Sequence, residues 1–147
     1  MSRFSPYQYW TRTQLAEQLT SLSFALNMSK EIRHLIEEAI NSKDWDPLMD
    51  FDGCTIVQDM YHPCISCFLH DYLAQTGQGG AENDELFYYL MLEEGLKDSK
   101  AKRRWFGVRV GWIFWLKWKS INKRNLKPYG GHFLTTLDKL RIKYNTK

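Results

Sequence analysis

His70, Asp71 and Asp84 are the side chains whose types and spacing could do chemistry. An imidazole supported by a carboxylate can take a proton from water. The first two lie in His62-Pro-Cys-Ile-Ser-Cys-Phe-Leu-His70-Asp71-Tyr72-Leu, and the third lies in Ala81-Glu-Asn-Asp84-Glu-Leu-Phe87, beyond a break at Thr76-Gly77-Gln78-Gly79-Gly80. Neighbouring residues on a helix diverge by about 100°, so His70 and Asp71 must serve different partners. Asp84 is the candidate to orient the His70 ring. Asp71 is left for something else.

Two helices must position these groups. Pro63 suits the opening position of the first, where a missing N–H costs nothing, and Ile65, Phe68, Leu69 and Leu73 form its apolar face. The glycine-rich break lets the second helix return antiparallel, with Asp84 in its first turn beside His70. Upstream, Thr13 is the expected cap of a helix bearing Leu15, Leu19, Leu22 and Leu26. Ser29 is the expected cap of another bearing Ile32, Leu35, Ile36 and Ile40. Asp44-Trp-Asp46-Pro47 ends that pattern, because the residue before a proline disfavours the α region. An irregular acidic loop should follow, up to His62.

Downstream, Gly95 is a stop signal, and Lys97 to Arg104 reads as a basic linker into Trp105-Phe-Gly-Val-Arg-Val-Gly-Trp-Ile-Phe-Trp-Leu-Lys-Trp118. After Tyr129-Gly130-Gly131, the residues Phe133, Leu134, Leu137, Leu140 and Ile142 predict a last short helix. The expected fold is mainly α, one compact domain of five or six helices with an irregular loop near 44–62. Within it, 1–43 reads as an N-terminal helical pair, 44–118 as the core holding the His-Asp motif and the aromatic helix, and 119–147 as a basic tail.

Metal and redox chemistry are weakly indicated. His62, Cys64, Cys67 and His70 have ligand types suited to zinc, but all four crowd one short element, so both cysteines read as small core residues. Three cysteines, an odd number, fit reduced thiols and a reducing compartment such as a bacterial cytoplasm. A hard cation is better served: Asp71, with Asp52 and neighbouring oxygens of the acidic loop, could supply carboxylates to calcium. The opening residues lack the apolar core of a signal peptide, and no run reaches the roughly 18 apolar residues of a membrane span.

The net charge of +3 conceals a strong polarity. Residues 1–96 hold 5 Lys/Arg against 15 Asp/Glu, whereas residues 97–147 hold 15 against 2. The basic end either pairs with the acidic half inside the fold or docks to nucleic acid, lipid head groups or an acidic protein. The aromatic segment has apolar residues in nearly every helical direction, which reads as a buried core helix or a subunit interface. Interfacial membrane binding and stacking on single-stranded bases are the other readings. The candidate interaction surface is Arg103, Arg104, Trp105, Trp112, Trp115 and Trp118.

The order Asp52-Gly53-Cys-Thr, a proline-led helix ending Leu69-His70-Asp71-Tyr72-Leu, Ala81-Glu-x-Asp84-x-x-Phe87 with Met91, and Val108-Arg109 before Gly-Trp resembles a family of small bacteriophage and prophage proteins of unknown function, over about residues 50–118. The His-Asp step with its downstream Asp-x-x-Phe also resembles the small bacterial phospholipase A2 enzymes. That second resemblance implies His70 as general base, Asp71 as calcium ligand and Asp84 as the carboxylate that orients the base. The chain departs from those enzymes in lacking the glycine-rich calcium loop, where it has Gly53-Cys-Thr-Ile-Val-Gln-Asp59 instead.

Three function classes follow. The leading one is a virion structural or assembly component, head-tail or tail-associated, docking other phage proteins in the particle or the host cytoplasm. The second is a calcium-dependent ester hydrolase of phospholipase A2 type. The third is an accessory protein that binds nucleic acid or membrane through residues 97–147. In the non-catalytic classes the His-Asp-Asp cluster pins helices together, with Arg109 as a further partner for Asp71 or Asp84.

Overall fold

Helix signals recur along the chain, and the computed structural model shows what they build. It describes residues 10–43, 45–50, 64–78, 80–111 and 132–145, all of them helix or connection with no strand. Six helices of nine residues or more stand among them. They are α1 (Arg12–Ala25), α2 (Lys30–Ile40), α4 (Ile65–Leu73), α5 (Ala81–Glu93), α6 (Asp98–Gly111) and α7 (His132–Asn145), with a single turn, α3 (Pro47–Asp50), between α2 and α4.

Local chemistry sets the ends. Thr11, not Thr13, caps α1: its hydroxyl accepts from the Gln14 amide at 3.0 Å, and the Gln14 side chain accepts from the Thr11 amide at 2.8 Å. This reciprocal box satisfies two otherwise unpaired donors, which a cap two residues later could not do. Ser29 does precede α2 as its cap residue, though its side chain makes no capping bond. Asn27 at φ +57° ends α1, and Gly95 at φ +91° ends α5. In both, the amides of this residue and the next fold back onto the last turn, from Asn27 to Phe24 and Met28 to Ser23, and from Gly95 to Leu92 and Leu96 to Met91. That double return is the Schellman arrangement.

Two expectations are corrected here. Lys97 to Arg104 is no linker, since helix α6 begins at Asp98 and runs through it. The break after α4 is not simple coil either. Residues Ala74–Gln78 widen into a π turn, in which the buried Thr76 hydroxyl donates to the Tyr72 carbonyl at 2.7 Å. Gly80, at φ +131°, then opens α5.

One core joins the helices. Leu15 and Leu19 of α1 meet Ile32, Leu35 and Ile36 of α2. Phe68, Leu69 and Tyr72 of α4 meet Leu86, Phe87 and Leu90 of α5, and Phe133, Leu137 and Leu140 bring α7 into the same cluster. Trp45 seals one end, edge-on to Phe68 at 5.3 Å, its indole N–H donating to Gln75 Oε1 at 3.1 Å. The hydroxyl of the fully buried Tyr72 donates to Glu38 of α2 at 2.8 Å.

Candidate functional site: a carboxylate shared by three helices

The antiparallel return of α5 on α4 brings the sequence-predicted pair together. His70 Nε2 lies 2.6 Å from Asp84 Oδ1, and Arg109, from the last turn of α6, donates from Nη1 to Asp84 Oδ2 at 2.8 Å. One carboxylate therefore joins α4, α5 and α6. Its side chain is 1% exposed, against 11% for His70 and 23% for Arg109. A carboxylate removed from water is tolerable only when paired and hydrogen-bonded, and here each oxygen has a donor. Asp84 also sits in the first turn of α5, where the helix dipole favours an anion.

The histidine is fixed on three sides. The buried Asn83 donates from Nδ2 to the His70 carbonyl at 3.1 Å. Phe87, one turn beyond Asn83, packs on the imidazole with ring centroids 4.7 Å apart. With Asp84 ionised opposite Arg109, Nε2 is the donating nitrogen, so Nδ1 is the one that could accept a proton.

Asp71 is half-buried on α4 and is not bonded to Arg109, which is committed to Asp84. Asp52, the other predicted calcium ligand, lies outside the described residues, as do Trp112, Trp115 and Trp118. Among the described residues no group of three or more His, Cys, Asp or Glu side chains is gathered as a metal site. Of the remaining interaction candidates, Arg103 is exposed, while Arg104 and Trp105 are half-buried. Trp105 opens the segment read as buried all round. Phe106 beside it is 63% exposed, so the described part of that segment has an outward face.

Sequence reasoning missed Glu94. This carboxylate, at the far end of α5, lies buried beneath the start of α4, where Oε2 accepts from the Ile65 amide at 2.7 Å and the Ser66 amide at 3.4 Å. It caps a helix 29 residues upstream. Burial pushes its pKa up to about 7, and the bonds from the Ser66 side chain and the two amides only partly offset this. No local signal betrays it, because a Glu before a helix-ending glycine reads as a surface acid.

The cysteines also differ from expectation. Cys64 is a buried thiol outside any disulfide, and its ionisation is opposed by burial and then by the charge of Glu94. Cys67 is disulfide-bonded, its partner lying outside the described residues, so the reduced-thiol reading fails for it. Core packing of both residues is nonetheless observed.

Comparison with protein-family models, with curated proteins and with solved structures finds no match for the chain. Among the described residues, no helix is long and apolar enough to cross a membrane.

Proposed function

We propose that this chain is a docking component of a bacteriophage particle or of its assembly, and that the His70–Asp84–Arg109 cluster holds three of its helices in a fixed relation. The observation that carries this reading is the double engagement of Asp84. A base that takes a proton develops positive charge, and a neighbouring carboxylate helps by opposing that charge. Here the Arg109 guanidinium already opposes it, so little net negative charge remains for a developing imidazolium. The same bonds are well suited to holding a rigid scaffold, because a buried hydrogen-bonded network tolerates few alternative packings. The phage assignment rests on the motif order across residues 50–118. The test is composition: particles and assembly intermediates, purified after induction of the strain that encodes the chain, should contain it by mass spectrometry. Its absence from both would overturn the reading.

A calcium-dependent hydrolase is the second reading, favoured by one observation, the orientation of His70 by a buried carboxylate through Nε2. It predicts release of fatty acid from phospholipid in millimolar calcium, lost in His70→Ala while the helical signal persists. Folded protein without any such turnover would dismiss it.

A further inference from the structure

The positive charge of residues 97–147 is spent unevenly. On α7 it is consumed within the fold: Lys139 pairs with Glu31 of α2 at 2.6 Å, Arg141 with Glu85 of α5 at 2.7 Å and Lys143 with Glu93 of α5 at 2.6 Å. At the start of α6 it is not. Lys102 pairs with Asp98 one turn away, but Lys97, Lys100 and Arg103 are exposed and make no ion pair among the described residues.

One of those cations, Arg103, shares a side of α6 with two exposed apolar residues. Ser99, Arg103, Phe106 and Val110 recur at spacings of four, three and four, which places them along one side of the helix. Phe106 is 63% exposed and Val110 38%, two of the four large exposed hydrophobic side chains among the described residues. The opposite side of α6 is anchored, with Ala101 and Val108 buried against the core and Arg109 tied to Asp84. The helix packs chiefly on α5.

We propose that this outer face of α6, with Arg103, Phe106 and Val110 flanked by Lys100, binds the surface of membranes rich in anionic phospholipid. Unpaired cations beside a projecting aromatic ring match a head-group layer, where phosphates take the charge and the ring reaches the acyl boundary. A fluid lipid surface conforms to a single exposed helix face. Nucleic acid would satisfy the cations but gives no burial to Val110. The proposal is separate from the assembly reading, since it concerns vesicles and not particle composition.

Co-sedimentation of the full chain with extruded vesicles in 0.1 M salt tests it. Equimolar phosphatidylglycerol and phosphatidylcholine should bind at least tenfold more tightly than phosphatidylcholine alone. Phe106→Ser should weaken binding about tenfold through loss of ring insertion. The double variant Lys100→Glu/Arg103→Glu should weaken it on the order of 25-fold or more, at about fivefold per charge removed. All these side chains are exposed, and circular dichroism should show an unchanged helical signal. Three outcomes would overturn the proposal: equal binding to the two vesicle types, indifference to Phe106→Ser, or no binding. Duplex DNA that binds more tightly than the vesicles and is unaffected by Phe106→Ser would reassign the face to nucleic acid, overturning it as well.

Discussion

Helix α5 carries a buried carboxylate at each end, and the two are treated oppositely. Asp84, at its start, meets two side-chain donors, His70 and Arg109, from two other helices. Glu94, just past its end, meets the backbone amides of Ile65 and Ser66. Both fasten α5 to α4, one at each end of the antiparallel pair. The first is compensated by a full countercharge. The second is held by the Ser66 side chain and two backbone amides, which only partly offset burial, so its pKa is pushed up to about 7. The contrast teaches that one kind of group can be held by side-chain donors at one end of a helix and chiefly by backbone amides at the other, according to what faces it.

Removing Asp84 should produce the largest effect. Asp84→Ala strips the partner from Arg109 and His70 and leaves a cavity, so stability should fall by about 4 kcal/mol, measured by urea unfolding. A loss under about 1 kcal/mol would show that the three-helix tie contributes little and that the two ends of α5 do not differ as described.

The Glu94 end should show itself through pH. A carboxyl whose pKa is raised in the folded state contributes stability that is fully present below its unfolded pKa of about 4.5. That contribution fades as pH rises toward 7, because the folded form holds the proton more tightly. The change across this window is on the order of 3 kcal/mol. Glu94→Gln keeps an oxygen to accept the Ile65 amide and cannot ionise, so its unfolding free energy should be flatter between pH 5 and 8. Parallel pH profiles for the variant and the parent would remove Glu94 as the source.

Gly95→Ala probes how the Glu94 end is held. A Cβ there meets nothing within 4 Å, so the cost comes only from φ +91°. A loss of about 1 kcal/mol by thermal or urea unfolding is expected. The smallest effect should come from the exposed pairs that bring α7 onto α5. Arg141→Ala, which removes a two-pronged contact with Glu85, should cost about 0.5–1 kcal/mol and less in high salt.

The helix inventory was legible because apolar residues repeat at helical spacing. Ile32, Leu35, Ile36 and Ile40 of α2 are all buried, as are Phe133, Leu137 and Leu140 of α7. The first half of α6, through Arg104, was misread as linker because its residues are mostly charged, and a solvent-facing helix start is compositionally like a loop. The cap of α1 was placed two residues late because both Thr11 and Thr13 are competent, and only the reciprocal bond with Gln14 distinguishes them. The pairing of His70 with Asp84 could be anticipated because a short break between two helices leaves few ways to fold back.

The amino-acid order alone determined the helical class, the split between an acidic and a basic half, and the closeness of His70 to Asp84, since all three depend on periodicity, composition or short chain separation. Only the tertiary structure decided that Arg109 takes the second oxygen of Asp84, that Glu94 lies beneath α4, and that α7 spends its cations internally while Lys100 and Arg103 of α6 make no ion pair among the described residues. Those outcomes depend on which helix faces pack together. Contacts between residues 25 to 108 positions apart leave no local trace, because the pairing energy becomes available only after the core has brought the helices side by side.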